Sequence, residues 1–133
     1  MIGHTHQLRV YYEDTDAGGV MYHAAYLGFA ERARTEALRD AGVPHAAMLR
    51  EHGVIFMVRR LDLEYLRPAR LDDLLTSRTE TLESGGASVL LRQVFHVEGT
   101  AIAVARVLLA CVKAATGVPA RIPPRWRAAI AAR

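Results

Sequence analysis

Residues 22–41 read YHAAYLGFAERARTEALRDA, and the spacing within this stretch decides the fold. Tyr22, Ala25, Tyr26, Phe29, Ala30, Ala33, Ala37, Leu38 and Ala41 recur at intervals of three and four residues, the stripe of a half-buried helix. Arg32 and Glu36 lie four apart on the polar side, where they can pair weakly. Gly42 followed by Pro44 supplies the stop. Ala25, Ala30, Ala33, Ala37 and Ala41 are small enough to let the helix backbone approach a sheet closely.

Working outward, the flanking segments change period. Upstream, Leu8 to Tyr12 suits a strand that runs into the loop Glu13 to Gly19, whose acids and glycines interrupt regular structure. Downstream, a short second helix is expected from Pro44 to Glu51, ending at Gly53. Four strands follow. Val54 to Leu66 alternates Leu61, Leu63 and Tyr65 against Arg60, Asp62 and Glu64. Leu74 to Glu83 comes next, and Gly85-Gly86 turns it into Ser88 to Glu98, where Val89, Leu91, Phe95 and Val97 share a face. Gly99-Thr100 reverses the chain into Ala101 to Lys113, apolar on both faces as in a strand covered on two sides. After Pro123-Pro124, Arg125 to Arg133 suits a short terminal helix. One helix set against a run of hairpin-linked strands predicts an α+β domain, an antiparallel sheet wrapped on a central helix. No linker or repeat divides the chain, so a single domain over 1–133 is expected.

Composition narrows the class further. With 51% hydrophobic and 23% charged residues, the 133-residue chain is ordinary for a folded soluble protein. Its one cysteine, Cys111, lies in an apolar run and reads as a buried thiol. The first residues lack the basic-then-apolar pattern of a secretory signal, and the apolar stretch 101–112 is broken by Arg106 and too short to span a bilayer. A cytoplasmic protein without stable membrane insertion is expected. The net charge of +3 does not point to nucleic acid: residues 1–113 hold 13 of the 17 basic residues and all 14 acids. The excess sits at Arg121, Arg125, Arg127 and Arg133, which read as a solvated tail.

The densest chemistry lies in residues 11–23, YYEDTDAGGVMYH. Glu13, Asp14 and Asp16 crowd three carboxylates into four positions just ahead of the long helix. One bland account is a solvated acidic turn that caps the helix. The sharper account holds one carboxylate opposite the helix start, whose unpaired N–H groups carry partial positive charge. Such N–H groups polarise a thioester carbonyl and stabilise its oxyanion, and the carboxylate activates water or attacks the carbonyl carbon. Gly18 and Gly19 leave room beside the backbone for substrate. Asp14-Thr15-Asp16 as a cation site for phosphoryl transfer would need alternating strands and helices, which do not follow here. The six histidines show no zinc-ligand spacing, so no metal is expected.

The stretch Tyr12 to His23 closely resembles the signature of the YbgC-like, 4-hydroxybenzoyl-CoA thioesterase family. The similarity continues through Glu31 to Glu36, Phe56 to Arg60 and Tyr65 to Asp73, nearly the whole chain. The resemblance implies a hotdog fold, assembly as a homodimer or homotetramer, and hydrolysis of acyl-CoA to a free acid and CoA with no cofactor beyond the CoA of the substrate. It implies that Asp16 is catalytic and that Tyr12 and His23 belong to the site. By position His23 is expected to open the helix, with Tyr22 and His23 at the oxyanion-stabilising end and Gly19 beside the substrate. Arg59, Arg60, Arg67 and Arg70 are candidates for CoA phosphates, since guanidinium groups suit phosphate oxygens. Two positions depart from the pattern: Ala25 stands where an asparagine is common and Met21 where a valine is usual. Both bear on acyl preference and leave the reaction type intact.

A second reading of the same residues is a non-catalytic module that binds acyl-CoA or acyl carrier protein. Relatives of this kind are associated with the Tol-Pal envelope system, and the basic tail would suit an acidic carrier or a lipid surface. The retention of Asp16 with its neighbours favours the enzyme.

Overall fold

A computed structural model describes residues 3–131 of the chain. Five strands form one antiparallel sheet: β1 (His4–Arg9), β2 (Val54–Tyr65), β3 (Leu74–Ser84), β4 (Ser88–Val97) and β5 (Thr100–Lys113), in the spatial order β1-β3-β4-β5-β2. The helices are α1 (Ala25–Asp40), α2 (His45–His52) and α3 (Pro124–Ile130). The expected α+β architecture is present, with α1 against the buried face of the sheet and β2 at one edge.

Period-two burial explains the packing. Leu75, Ser77 and Thr79 of β3, Val89, Leu91, Gln93 and Phe95 of β4, and Ala105, Val107, Leu109 and Cys111 of β5 all face inward and are buried. Opposite them α1 buries Tyr26, Phe29, Ala30, Ala33, Ala37 and Leu38, the stripe read from the sequence. The residue spanning this interface is polar. Gln93, fully buried, donates from Nε2 to the Ala30 carbonyl at 2.9 Å and to Thr79 Oγ1 at 3.1 Å, fixing the helix against β3 and β4.

Three sequence expectations shift. The first strand lies at His4–Arg9 and not at residues 8–12; Val10 still pairs with Asp73, but the chain then turns through a 3-10 segment at Tyr12–Asp14. The cause is local: the Asp14 carboxylate accepts the Tyr11 N–H at 2.8 Å, taking a donor that a longer strand would need. Second, β5 is fully covered on one face and only partly on the other, where Val112 is buried beside Pro119. Val104, Leu108 and Ala110 on the outer face are half-buried, beside exposed Arg92 and Arg106, which lie opposite each other in the ladder. Third, the basic tail is not a loose terminus: Trp126 is fully buried and Ile122 and Ile130 pack with it into the core. An i, i+4 pair on a seven-residue helix is too short a stripe to announce itself in sequence. Arg133, counted with that tail, lies outside the described residues.

Candidate active site

The loop that carries the acids is organised by its main chain. Thr15 pairs with Met21 and Val20 with Arg70 as isolated bridges, and the Asp16 N–H donates to the Val20 carbonyl at 2.9 Å. This ladder brings the acidic loop to the segment entering α1. The three carboxylates then separate by role. Asp14 is consumed by the Tyr11 N–H, and its carbonyl accepts the Tyr22 N–H at 2.7 Å. Asp16 Oδ1 accepts the Gly18 N–H at 2.8 Å, which fixes the carboxylate in a turn of its own making, while Oδ2 has no partner among the described residues. A Cβ on Gly18 would lie 3.2 Å from Asp16 Oδ1, so glycine there makes room for the carboxylate itself. Gly19, at φ +77°, sits in the left-handed region that favours glycine and closes the turn by donating to the Asp16 carbonyl at 3.0 Å.

The start of the helix differs from expectation. His23 lies in a turn, and α1 begins two residues later with Ala24 at its cap. Among the described residues neither the His23 nor the Ala24 N–H finds an acceptor, so the donors expected at the helix start are present even though His23 does not open it. The Tyr22 and His23 rings pack with centroids 4.4 Å apart. The His23 carbonyl is held by the Tyr65 hydroxyl, which donates to it at 2.7 Å and so ties the end of β2 to the approach of α1.

That tie closes a cleft of about 260 Å³ lined by Met21, His23, Tyr26, Tyr65, Leu66 and Arg67. His23 and Arg67, read from the sequence as site residues, therefore meet here. Asp16 does not line this cleft; it is exposed on the neighbouring loop, as is Gly19, while Tyr22 is partly exposed beside His23. Tyr12 is 82% exposed on the 3-10 segment and makes no ring contact with the cleft. Arg59 and Arg60 lie on exposed positions of β2, beside a bulge between Val58 and Arg60. Five residues of strand, roughly 16 Å, separate Arg60 from Tyr65. Arg70 is exposed on the loop that bridges Val20.

Two tyrosines of the cleft read in the sequence only as packing residues, Tyr26 in the helix stripe and Tyr65 in the strand alternation. Tyr26 stacks edge-on against both Tyr65 and Phe95, and burial pushes its phenol pKa up, partly offset by a hydrogen bond from the Ala69 main chain. Burial also raises the Tyr65 phenol. Both hydroxyls stay protonated at neutral pH, as a donor to the His23 carbonyl must be.

Among the described residues no cluster of three or more His, Cys, Asp or Glu has the placement of a metal site. No described helix is long and apolar enough to cross a membrane.

The fold finds its match among known proteins. Residues 10–130 match the family model described as the thioesterase-like superfamily. The acyl-CoA thioester hydrolase YbgC of Escherichia coli O6:H1 is 46% identical over 119 residues, 89% of this chain and 84% of that protein. The acyl-CoA thioesterase YbgC of Haemophilus influenzae is 43% identical over 127 residues, covering 96% and 93%. Among solved structures, a probable thioesterase from Bartonella henselae superposes with a TM-score of 0.85 at 36% identity, covering 91% of this chain and 99% of that one. The architecture is thus the hotdog fold of thioesterases. The chain belongs to the thioesterase-like superfamily and, within it, to the YbgC acyl-CoA thioesterases.

Proposed function

We propose that Asp16 is the carboxylate through which this acyl-CoA thioester hydrolase cleaves its substrate. The observation that carries the reading is the division of labour in the loop: Asp14 is spent on the backbone, whereas Asp16 is anchored through one oxygen and keeps the other free, on a loop bridged to the segment that enters α1. A thioester carbonyl facing the His23 and Ala24 N–H groups is polarised, and the oxyanion formed on attack is stabilised by about 3 kcal/mol per well-placed donor. Asp16 takes a proton from water as the oxygen bonds to the carbonyl carbon. The carbon–sulfur bond then breaks, and the CoA thiolate leaves and is protonated. The covalent variant has Asp16 attack the carbon directly, with water cleaving the resulting anhydride. Arg67, in the cleft with His23, is the arginine best placed for a CoA phosphate; Arg59 and Arg60 are farther along β2 and rank behind it. Tyr12 has the weakest support of the proposed site residues. We extend the reading to a cytoplasmic enzyme formed by one domain spanning the chain.

A second subunit belongs to this reading. Asp16 is exposed outside the cleft, and β2 is an edge strand of twelve residues with Met57 and Val58 each about half exposed, a template for pairing with another strand. A homodimer, or a homotetramer built from it, would cover that edge and wall the loop. Light scattering of the purified protein is expected to give two or four chains.

The test of Asp16 is kinetic. On a panel of aliphatic and aromatic acyl-CoA thioesters, Asp16→Asn is expected to lower kcat by about 10²–10⁴-fold on every substrate that the wild type cleaves. Turnover that survives the substitution rules Asp16 out. Wild-type protein that binds several thioesters and cleaves none supports the acyl-CoA or acyl-carrier-protein binding module instead. A single turnover in ¹⁸O-water, with the label sought in Asp16 itself, separates the anhydride route from direct hydrolysis.

A further inference from the structure

A hydrolase of acyl-CoA must shelter the acyl chain on apolar surface, and the recess that offers such surface here is blocked at its inner end. A crevice of about 490 Å³ between α1, α2 and β2 has Ile55, Phe56, Val58 and Leu109 along one wall. On the far side of the core, a second cavity of about 340 Å³ opens between α3 and the β3–β4 hairpin, with Ser84, Gly85, Val89, Ile122, Arg127 and Ile130 in its lining. A neck of only about 10 Å³ separates the two. Phe56 and Leu109 border both the crevice and the neck, while Val89 and Ile130 border both the neck and the second cavity. The three spaces therefore follow one another through the domain. A space that small is about the least that holds one water, and Leu38 and Leu91 complete its walls. The neck is shut to a chain of methylenes.

What shuts it is the terminal helix. Ile130, the last residue of α3, and Val89 of β4 are both buried and both face the neck. The helix that carries Ile130 is tied down on two sides. The Ile122 N–H donates to the Gly86 carbonyl at 2.7 Å, on the hairpin side. Arg125 reaches the Gly42 carbonyl at 3.4 Å and the Glu51 carboxylate at 3.7 Å, on the α2 side. Between these ties the Trp126 ring is fully buried, with the Arg125 guanidinium carbon 4.8 Å from its centre. Ile130 is thus presented as a fixed stop. The space behind it matters as much. With solid packing behind the stop, trimming Ile130 would only deepen the crevice by its own volume; with a cavity behind it, trimming one side chain joins two spaces. We infer that Ile130, together with Val89, sets the length of acyl chain that this thioesterase accepts, because the end of the chain meets Ile130 and the cavity beyond is withheld from substrate. The inference rests on acyl-CoA hydrolysis by this chain and not on the role of Asp16.

Length profiles test it. S-alkyl-CoA thioethers, from S-butyl to S-hexadecyl, carry no carbonyl for the enzyme to cleave, so calorimetry reads length without turnover. In the wild type, affinity is expected to rise by about fourfold per added methylene until the chain reaches the stop, and then to rise no further. Ile130→Ala removes the carbons beyond Cβ and is expected to move that break by about two carbons toward longer chains. The kcat/KM profile on straight-chain acyl-CoA thioesters is expected to move with it. Because Ile130 is buried, Ile130→Val and Val89→Ala supply milder truncations at the same neck, each expected to move the break by about one carbon in the same direction. Ile122→Val is the control: Ile122 lines the second cavity but not the neck, so this variant loosens the seat of α3 and leaves the stop in place. A break that stays at the wild-type length in the folded Ile130 and Val89 variants overturns the inference. An equal shift in Ile122→Val does so too, since it would assign the effect to a loosened α3, as does wild-type affinity that climbs without a break through S-hexadecyl-CoA. Survival or loss of turnover in Asp16→Asn bears on the catalytic assignment alone and leaves these profiles where they are.

Discussion

The approach to α1 and its middle are built on opposite plans. At the N-terminal end the Asp16 loop is arranged almost wholly by main-chain bonds: the Thr15–Met21 bridge, the Asp16–Val20 bond and the turn closed by Gly19. Its reactive side chains project into solvent. Midway along the helix the Arg34, Gln93 and Thr79 network is arranged by side chains, and it is buried. A backbone-built loop can present a carboxylate at little cost to folding, because water solvates whatever the protein leaves unpaired. The side-chain network has no such recourse. Function and stability are therefore expected to separate along this one helix, and substitutions in the two regions should exchange their effects.

The largest effect on stability is expected at Gln93. Gln93→Leu preserves size but strips the Arg34 guanidinium of its one side-chain acceptor among the described residues and frees Thr79 and the Ala30 carbonyl. Leaving a buried charge without its partner costs about 3 kcal/mol, seen as a fall of roughly 10 °C in the thermal midpoint. Asp16→Asn provides the counterpart, with activity lost and the midpoint within about a degree of wild type. A Gln93→Leu protein as stable as wild type would erase the contrast between the two regions.

Tyr65→Phe probes a side chain that reaches the backbone-built end from another element. It removes the hydroxyl that holds the His23 carbonyl, a bond worth about 1 kcal/mol. If the tie positions the N–H groups that face the thioester, that energy appears in the transition state as about a fivefold drop in kcat with KM little changed. Equal kcat values for Tyr65→Phe and wild type would confine Tyr65 to a packing role.

How much of this the sequence discloses follows from the same contrast. The Asp16 loop was legible because its residues are neighbours: acids, glycines, Tyr22 and His23 fall within a dozen positions, and their meaning depends little on the rest of the chain. The α1 stripe and the alternation of β3 and β4 were legible because one buried face imposes a period. The Arg34 network was not. Arg34, His45, Thr79 and Gln93 are separated by up to 59 positions and meet only through the strand order β1-β3-β4-β5-β2. In sequence Arg34 looks like a polar residue beside Ala33, and Gln93 like an interruption between Leu91 and Phe95. Nor was the role of Tyr65 readable, since the end of β2 and the approach to α1 come together only after the sheet has curled. The Trp126 and Ile130 pair was hidden by the brevity of α3.

The smallest expected effect sharpens the buried side of the comparison through pH. Burial lowers the His45 pKa below its usual 6.5, and the nearby Arg34 and Arg39 act in the same direction, with Glu31 opposing them. The imidazole is therefore neutral in the folded chain at neutral pH. A base whose folded-state pKa is depressed contributes its stabilisation above the unfolded value, and that contribution is lost as pH falls, because the unfolded chain takes up a proton that the folded one resists. From about pH 7 down to about pH 5, the thermal midpoint should consequently fall less steeply in His45→Gln than in the wild type. Identical slopes for the two proteins would mean that the imidazole of His45 gains its proton as readily in the folded chain as in the unfolded one. The electrostatic difference between the two regions would then reside in Arg34 alone.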